Sequence, residues 1–271
     1  MNGRTDGRRS NGTETAYLGR MARAFLALVL ALAASFASET RAFAQEPPAA
    51  PPDPGTWTGT AGAGVALTSG NTDTSTFNLS LDLTRDPKTR NVMKWTGLYL
   101  RGAQNDEVVA NRLSLGFRDQ YTLSDRSYAF GQIGYLRDTF KLIDYLVAPT
   151  AGIGYKLVNT DATKFAVDGG VGALWEKNPG LDVRTSVALT AGETLEHALT
   201  ATSTIKHSAT ALWKADDLAD GLYTVAIGLG TRISDELQLS IDLLDTFKNR
   251  PPTAGTKKND VALVTAVTAK F

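Results

Sequence analysis

Alternation with a period of two, repeated segment after segment with charges confined to one side, is the feature that most restricts how this chain can fold. It is clearest over residues 259–271. There the odd positions Val261, Leu263, Thr265, Val267 and Phe271 form an almost wholly apolar face, while Ala262, Ala266, Thr268 and Lys270 stand opposite. A strand with one apolar face must cover it with a second layer or turn it toward lipid. The body of the chain holds no run of about 20 apolar residues, which excludes membrane-spanning helices there.

The same parity recurs upstream. Phe77, Leu79, Leu81 and Leu83 alternate with Asn78, Ser80, Asp82 and Thr84, and Leu113, Leu115 and Phe117 alternate with Arg112, Ser114 and Arg118. Phe165, Val167, Val171 and Trp175 oppose Lys164, Asp168 and Glu176, and Val183, Val187 and Leu189 oppose Arg184, Ser186 and Thr190. Turn signals between these runs predict about twelve strands, near 57–68, 75–84, 91–102, 109–121, 127–140, 145–156, 164–176, 181–194, 197–208, 220–232, 236–247 and 259–271. An even number closes an antiparallel barrel with both ends on one side. Short turns such as Leu123-Ser124-Asp125-Arg126 alternate with longer expected loops at 213–221 and 248–258, the arrangement of a membrane barrel with short turns on one side.

Alternation alone also fits a soluble barrel with its apolar face inward. The amino-terminal part separates the two. Arg20 and Arg23, the apolar residues 24–36 and the small-x-small site Ala42-Phe43-Ala44 predict a signal peptide cleaved after Ala44, with translation starting at Met1 or Met21. Five prolines within residues 45–56 predict an extended linker without a core, so residues 57–271 constitute the barrel. The terminal Phe271 after alternating residues resembles the insertion signal of Gram-negative outer-membrane barrels. It implies two partners, the barrel-assembly machinery at the last strand and outer-membrane lipid around the wall.

With the apolar odd face toward lipid, the even face is a charged lumen. Its expected lining includes Asp82, Arg112, Arg118, Asp168, Glu176, Arg184, Lys206 and Asp242. The net charge is zero and no basic stripe exists, which argues against a nucleic-acid surface. Cysteine is absent, so disulfides and thiolate metal sites are excluded.

Trp57-Thr58-Gly59, then Thr68-Ser69-Gly70-Asn71-Thr72, Arg137-Asp138-Thr139-Phe140 and Gly152-Ile153-Gly154-Tyr155 resemble, in order and spacing, the YdiY-like family of uncharacterised, salt-induced outer-membrane proteins. The resemblance implies an outer-membrane barrel with no assigned activity. Arg137 and Asp138 are neighbours in a strand and point to opposite faces, so one is expected in a lumen ion pair and the other at the outer rim.

Other motifs carry less. The glycine clusters at 152–154, 169–172 and 228–230 open no helix after a strand, so close strand packing explains them better than nucleotide binding. Asn78-Leu79-Ser80 matches a glycosylation sequon inside a strand. Trp57, Trp95, Trp175 and Trp213 fall near expected strand ends, where interfacial girdles place aromatics. Outer-membrane phospholipase, a twelve-stranded barrel with a Ser-His-Asn site on its lipid face, sets the enzymatic alternative. Only His197 and His207 are present, the first at an expected turn, and Ser208 points away from His207. Asp216-Asp217 lie in an expected outer loop, where a solvated surface or a weak divalent-cation site is anticipated. No cofactor or enzymatic site is expected. The functional expectation is a narrow passive channel or a structural barrel of envelope or salt stress, with a lipid-modifying enzyme as the alternative.

Overall fold

The computed structural model describes residues 57–271 apart from 70–73, 105–106, 254 and 271. The leader and linker expected over 1–56, and Phe271, therefore lie outside the described residues. Twelve strands form: β1 Trp57–Ser69, β2 Thr74–Arg85, β3 Asn91–Gln104, β4 Glu107–Thr122, β5 Ser127–Asp138, β6 Ile143–Asn159, β7 Thr163–Lys177, β8 Arg184–Ala198, β9 Ser203–Lys214, β10 Asp217–Arg232, β11 Leu237–Lys248 and β12 Asn259–Lys270. Each pairs antiparallel with its sequence neighbours, and β1 pairs with β12 to close the ring. Among the described residues closure leaves no unpaired edge strand, a requirement for any sheet whose surroundings offer no hydrogen bonds.

The registers preserve parity around the whole ring. Every ladder joins odd residues to odd and even to even, as in Leu79↔Tyr99, Leu115↔Tyr135 and Val171↔Leu189. The exceptions begin at four register shifts: Gly102/Ala103, Leu136/Asp138, Lys156/Val158 and Asp217/Gly221. Following the registers once around returns to β1 displaced by about 16 residues, which corresponds to a strand tilt of about 40° and a backbone cylinder about 25 Å across.

Inside and outside are fixed by contacts between strands that are not neighbours. Arg112 of β4 donates to Thr246 of β11, Arg118 of β4 to Asp168 of β7, and Lys248 of β11 to Glu176 of β7. Such bonds must cross the lumen, and all six residues are even. The odd face carries the exposed apolar side chains, among them Phe77, Leu79, Leu115, Ile153, Val171, Val187, Ile227 and Ile241.

Aromatic clusters mark both ends of this apolar wall. At the end where β1 begins, here called the lower end, Trp57, Trp95 and Phe117 stack with centroids 4.8 and 5.0 Å apart. At the upper end Trp213, Tyr223 and Phe247 pack at 6.0 and 5.9 Å, and the Trp213 indole donates to Tyr223 Oη at 2.8 Å.

Four lower turns share one device. Ser124, Thr160, Thr200 and Ser234 each accept, on the side-chain oxygen, the N–H three residues on, at 2.9–3.1 Å. In the remaining lower turn the Asp86 carboxylate takes the Lys88 N–H, and the same lysine's ammonium holds the Asp86 pKa below its ordinary value against the effect of burial.

Two expectations are corrected. The turn placed at 195–196 lies at 199–202, because Thr200 supplies the cap, and β8 consequently runs through His197. The expected strict alternation of short and long connections fails as well. The upper β9–β10 connection is only Ala215 and Asp216, shorter than the lower turn at 86–90. Where a long loop at 213–221 was expected, pairing continues through Lys214 and resumes at Asp217, held by the Lys214–Asp220 ion pair.

Arginine placed at Leu79 or Leu115 projects into the apolar band and is expected to cost about 2–4 kcal/mol. Arginine at the even neighbours Ser80 or Ser114 is expected to cost less. Denaturant unfolding in lipid vesicles measures both, and equal losses at the two parities would contradict the face assignment.

Candidate functional site

The even residues divide the lumen into two halves. In the lower half Asp82, Lys94, Thr96, Lys164, Thr194, Glu196, Lys206 and Thr210 are exposed although they point inward, so the lumen is open to water along β2, β3 and β7–β9, while Tyr128, Phe130, Ala266 and Thr268 are buried along β5 and β12. In the upper half Glu176, Lys214, Lys248, Asp138 and Thr246 are buried.

The upper closure combines apolar packing with ion pairs. Leu136, Ile143, Leu146, Leu174 and Ala188 form one cluster, and Leu100, Ala262 and Val264 a second on the opposite wall. Glu176 receives Lys214 at 2.5 Å and Lys248 at 2.8 Å, and the same lysines approach Asp220 at 2.5 and 3.6 Å. Two acids and two bases thus alternate in a closed lattice from β7 to β11. Burying charges this deeply is tolerable because each has opposite charge on two sides.

A second bridge spans the full width of the barrel. Lys141, between β5 and β6, is fully buried and donates to the Lys258 carbonyl at 2.6 Å and the Lys257 carbonyl at 3.4 Å, with Asp260 at 3.0 Å. The connection it sits on is thereby folded inward and latched to the opposite wall. Burial lowers the Lys141 pKa, and Asp260 opposes that shift.

Lower down, glycines organise the wall. A side chain at Gly154 would collide with the Tyr128 ring, and one at Gly170 would reach within 3.1 Å of Phe130. The two rings occupy the space these glycines leave. Arg118 lies 3.8 Å over Phe130 and 5.8 Å from the Tyr128 centroid, and binds Asp168 at 2.8 Å and Gln132 at 2.7 Å. Tyr128 Oη donates to the same Asp168 oxygen at 3.2 Å. A cavity of about 470 Å³ lies beside this group, between Lys94, Arg118 and Gln132 below and Leu136, Leu146 and Leu212 above.

The sequence-derived lining residues fall into three places. Arg112, Glu176, Arg118 and Asp168 belong to bridges that cross the lumen, Arg112 through Thr246 of β11 at 2.8 Å, while its ion pair with Asp138 at 3.4 Å joins direct partners on β4 and β5. Asp82, Lys206 and Asp242 belong to the open lower part. Arg184 lies at the upper rim and binds Asp216 at 2.9 Å and Asp220 at 3.3 Å. That arginine lowers the Asp216 pKa, and Asp217 pairs with Arg250. Among the described residues no group of three or more His, Cys, Asp or Glu side chains is placed to hold a metal.

Asp138 takes the lumen ion pair with Arg112, and Arg137 falls in the adjacent bulge. Asn78 of the sequon is fully buried. His207 Nε2 lies 2.9 Å from Glu193 Oε1 on the outer face, and His197 Nδ1 lies 2.7 Å from Thr163 Oγ1.

Lys94, Lys141, Lys214, Asp220 and Lys248 were missed. Even parity marks Lys94 and Asp220, the latter the first residue of the expected strand 220–232, and parity continued past the expected strand ends marks Lys214 and Lys248. No local pattern marks Lys141, whose partners are 116 and 117 residues away.

Comparison with known proteins agrees with this architecture. The family described as protein of unknown function, DUF481, matches residues 61–271. An uncharacterized protein, YdiY of Escherichia coli (strain K12), is 29% identical over 119 residues, covering 44% of this chain and 47% of that protein. The chain thus spans about half the length of that relative. A NanC porin structure aligns with a TM-score of 0.53 at 10% identity, over 79% of this chain and 100% of that one. An outer membrane channel from Pseudomonas putida F1 aligns at 0.50 and 13% identity, over 84% and 100%. At these identities the likeness is one of fold.

Replacing Glu176 with Gln leaves Lys214 and Lys248 with half of their paired charge and is expected to cost about 3–5 kcal/mol. Adding Lys248→Met is expected to recover part of that loss. Guanidinium unfolding of the single and double variants measures both.

Proposed function

The chain belongs to the DUF481 family of proteins of unknown function, and on that premise we propose that it is an integral outer-membrane β-barrel whose charged lumen forms a narrow passage for small solutes, closed at its upper end in this conformation. The observation that carries the reading is the split in exposure of the inward-facing residues. Lys94, Thr96, Lys206 and Thr210 line an open lower lumen, whereas Glu176, Lys214 and Lys248 are buried above. A purely structural plug has no need of a water-filled half. The aromatic clusters at both ends of the apolar wall support membrane residence, with lipid around the odd face and the assembly machinery engaging β12 as the accompanying partners.

A structural barrel of envelope or salt stress is the second reading, favoured by the Lys141 latch across the lumen. A lipid-modifying enzyme fits less well. The outer-face nitrogen of His207 is occupied by Glu193, and no hydroxyl among the described residues hydrogen-bonds that histidine.

Planar-bilayer recordings separate the two leading readings. The expected result is small or rare conductance for the native chain and a several-fold larger conductance for the double variant Lys141→Ala/Glu176→Gln, which opens the latch and the lattice together. Absence of current in both, with intact heat-modifiable mobility on denaturing gels, would favour the structural barrel.

A further inference from the structure

Lys94 is placed where a lysine has little reason to be. In the β3–β4 ladder it stands directly opposite Arg118, a like-charge pairing that disfavours the folded state. Its other direct partner, on β2, is the neutral Thr84. Arg118 is already engaged by Asp168 and Gln132 and stacked on Phe130. Lys94 makes no ion pair with any described residue, although Arg118, Lys206 and Lys164 repel it and Glu196 and Asp82 attract it from farther away.

Those two carboxylates have nearer demands. Glu196 faces Lys164 on one side and Lys206 on the other in the ladders of β7, β8 and β9. Asp242 leans over Gly228, where a side chain would meet its Oδ1 at 2.1 Å, and Gly228 is the direct partner of Lys206. Acids therefore gather around Lys206, and the ammonium of Lys94 is left beside a guanidinium at the edge of the cavity. Thr96, Gln120 and Gln132 line that cavity and supply hydroxyl and amide donors.

We propose that Lys94 and Arg118, with Thr96, Gln120 and Gln132, form a binding site for a small oxyanion, the phosphate, sulfate or carboxylate group of a solute that enters the lumen from the lower end. The anion supplies the negative charge that the wall withholds from Lys94 and relieves its repulsion with Arg118. The proposal rests on the channel reading only in naming the class of solute; the site itself does not depend on conduction.

The test uses the full chain in zwitterionic detergent with inorganic phosphate as the probe. Thermal midpoints are compared in sodium phosphate and sodium chloride of equal ionic strength at pH 7. Phosphate is expected to raise the native midpoint by about 3 °C more than chloride. Lys94→Gln, which removes the repulsion and so leaves the barrel folded as judged by heat-modifiable mobility, is expected to lose that increment, while Lys206→Gln keeps it. An increment that survives in Lys94→Gln reflects general salt exclusion and overturns the site. Bilayer recordings of the same preparation distinguish the two ideas. A phosphate increment without current upholds the site and removes the channel, and current without an increment upholds the channel and removes the site.

Discussion

Closure of the hydrogen-bond ladder at β1 and β12 is the constraint on which the rest of the structure depends. A ring of twelve antiparallel strands closes with a consistent inside only if parity survives each step between strands. One ladder with an odd offset through its middle would carry lumen charges to the outer wall for every strand beyond it. The four shifts that do break parity lie near strand ends, three of them at the upper end, where the chain is leaving the apolar band. There a bulge redirects side chains locally: beyond the one at Leu136/Asp138 the even Asp138 stands opposite the odd Ile143, which packs into the interior cluster, while Asp138 keeps its direct partner Arg112 in the unshifted β4–β5 ladder.

Parity places the charges inside but does not say how the barrel tolerates them. The two halves solve that problem differently. In the upper half water is displaced, so ions must be paired, and the Glu176–Lys214–Asp220–Lys248 lattice gives each charge two opposite neighbours. In the lower half the lumen is open, so the barrel folds with an unpaired Lys94 and a like-charge register that solvent screens without abolishing. The same residue types thus serve as a closure above and as a solvated lining below, and the boundary between them is the cavity beside Arg118.

The period-two pattern makes strand number and face assignment legible, because each is encoded within a dozen consecutive residues. What was not legible depends on distance. The β8–β9 turn lacks glycine and proline and is set by the single hydroxyl of Thr200. Asp220 reads as the boundary between a long loop and a strand until Lys214 is known to face it. Lys141 reads as an ordinary surface lysine in a short connection, since nothing near it in sequence announces a partner on the opposite wall. Lys94 carries the right parity, yet its significance lies in a register opposite Arg118 that the sequence does not specify.

The outer wall contains one departure from its apolar character that parity cannot explain. Glu193 and His207 are both odd and both project outward from the middle portions of β8 and β9, where the surrounding apolar side chains offer no hydrogen bonds. Direct partners in the ladder are Glu193 with Ala209 and Leu195 with His207, so the two polar side chains sit on a diagonal. The small Ala209 opposite Glu193 leaves room for the carboxylate to lean toward the imidazole, and the resulting 2.9 Å contact leaves the Glu193 side chain only 8% exposed. Each group alone would leave an unsatisfied polar atom on the apolar wall, whereas together they expose little polar surface. The requirement on the outer face is therefore on exposed polarity rather than on residue type. A diagonal pair across a small neighbour meets it as well as an alternating row of leucines does.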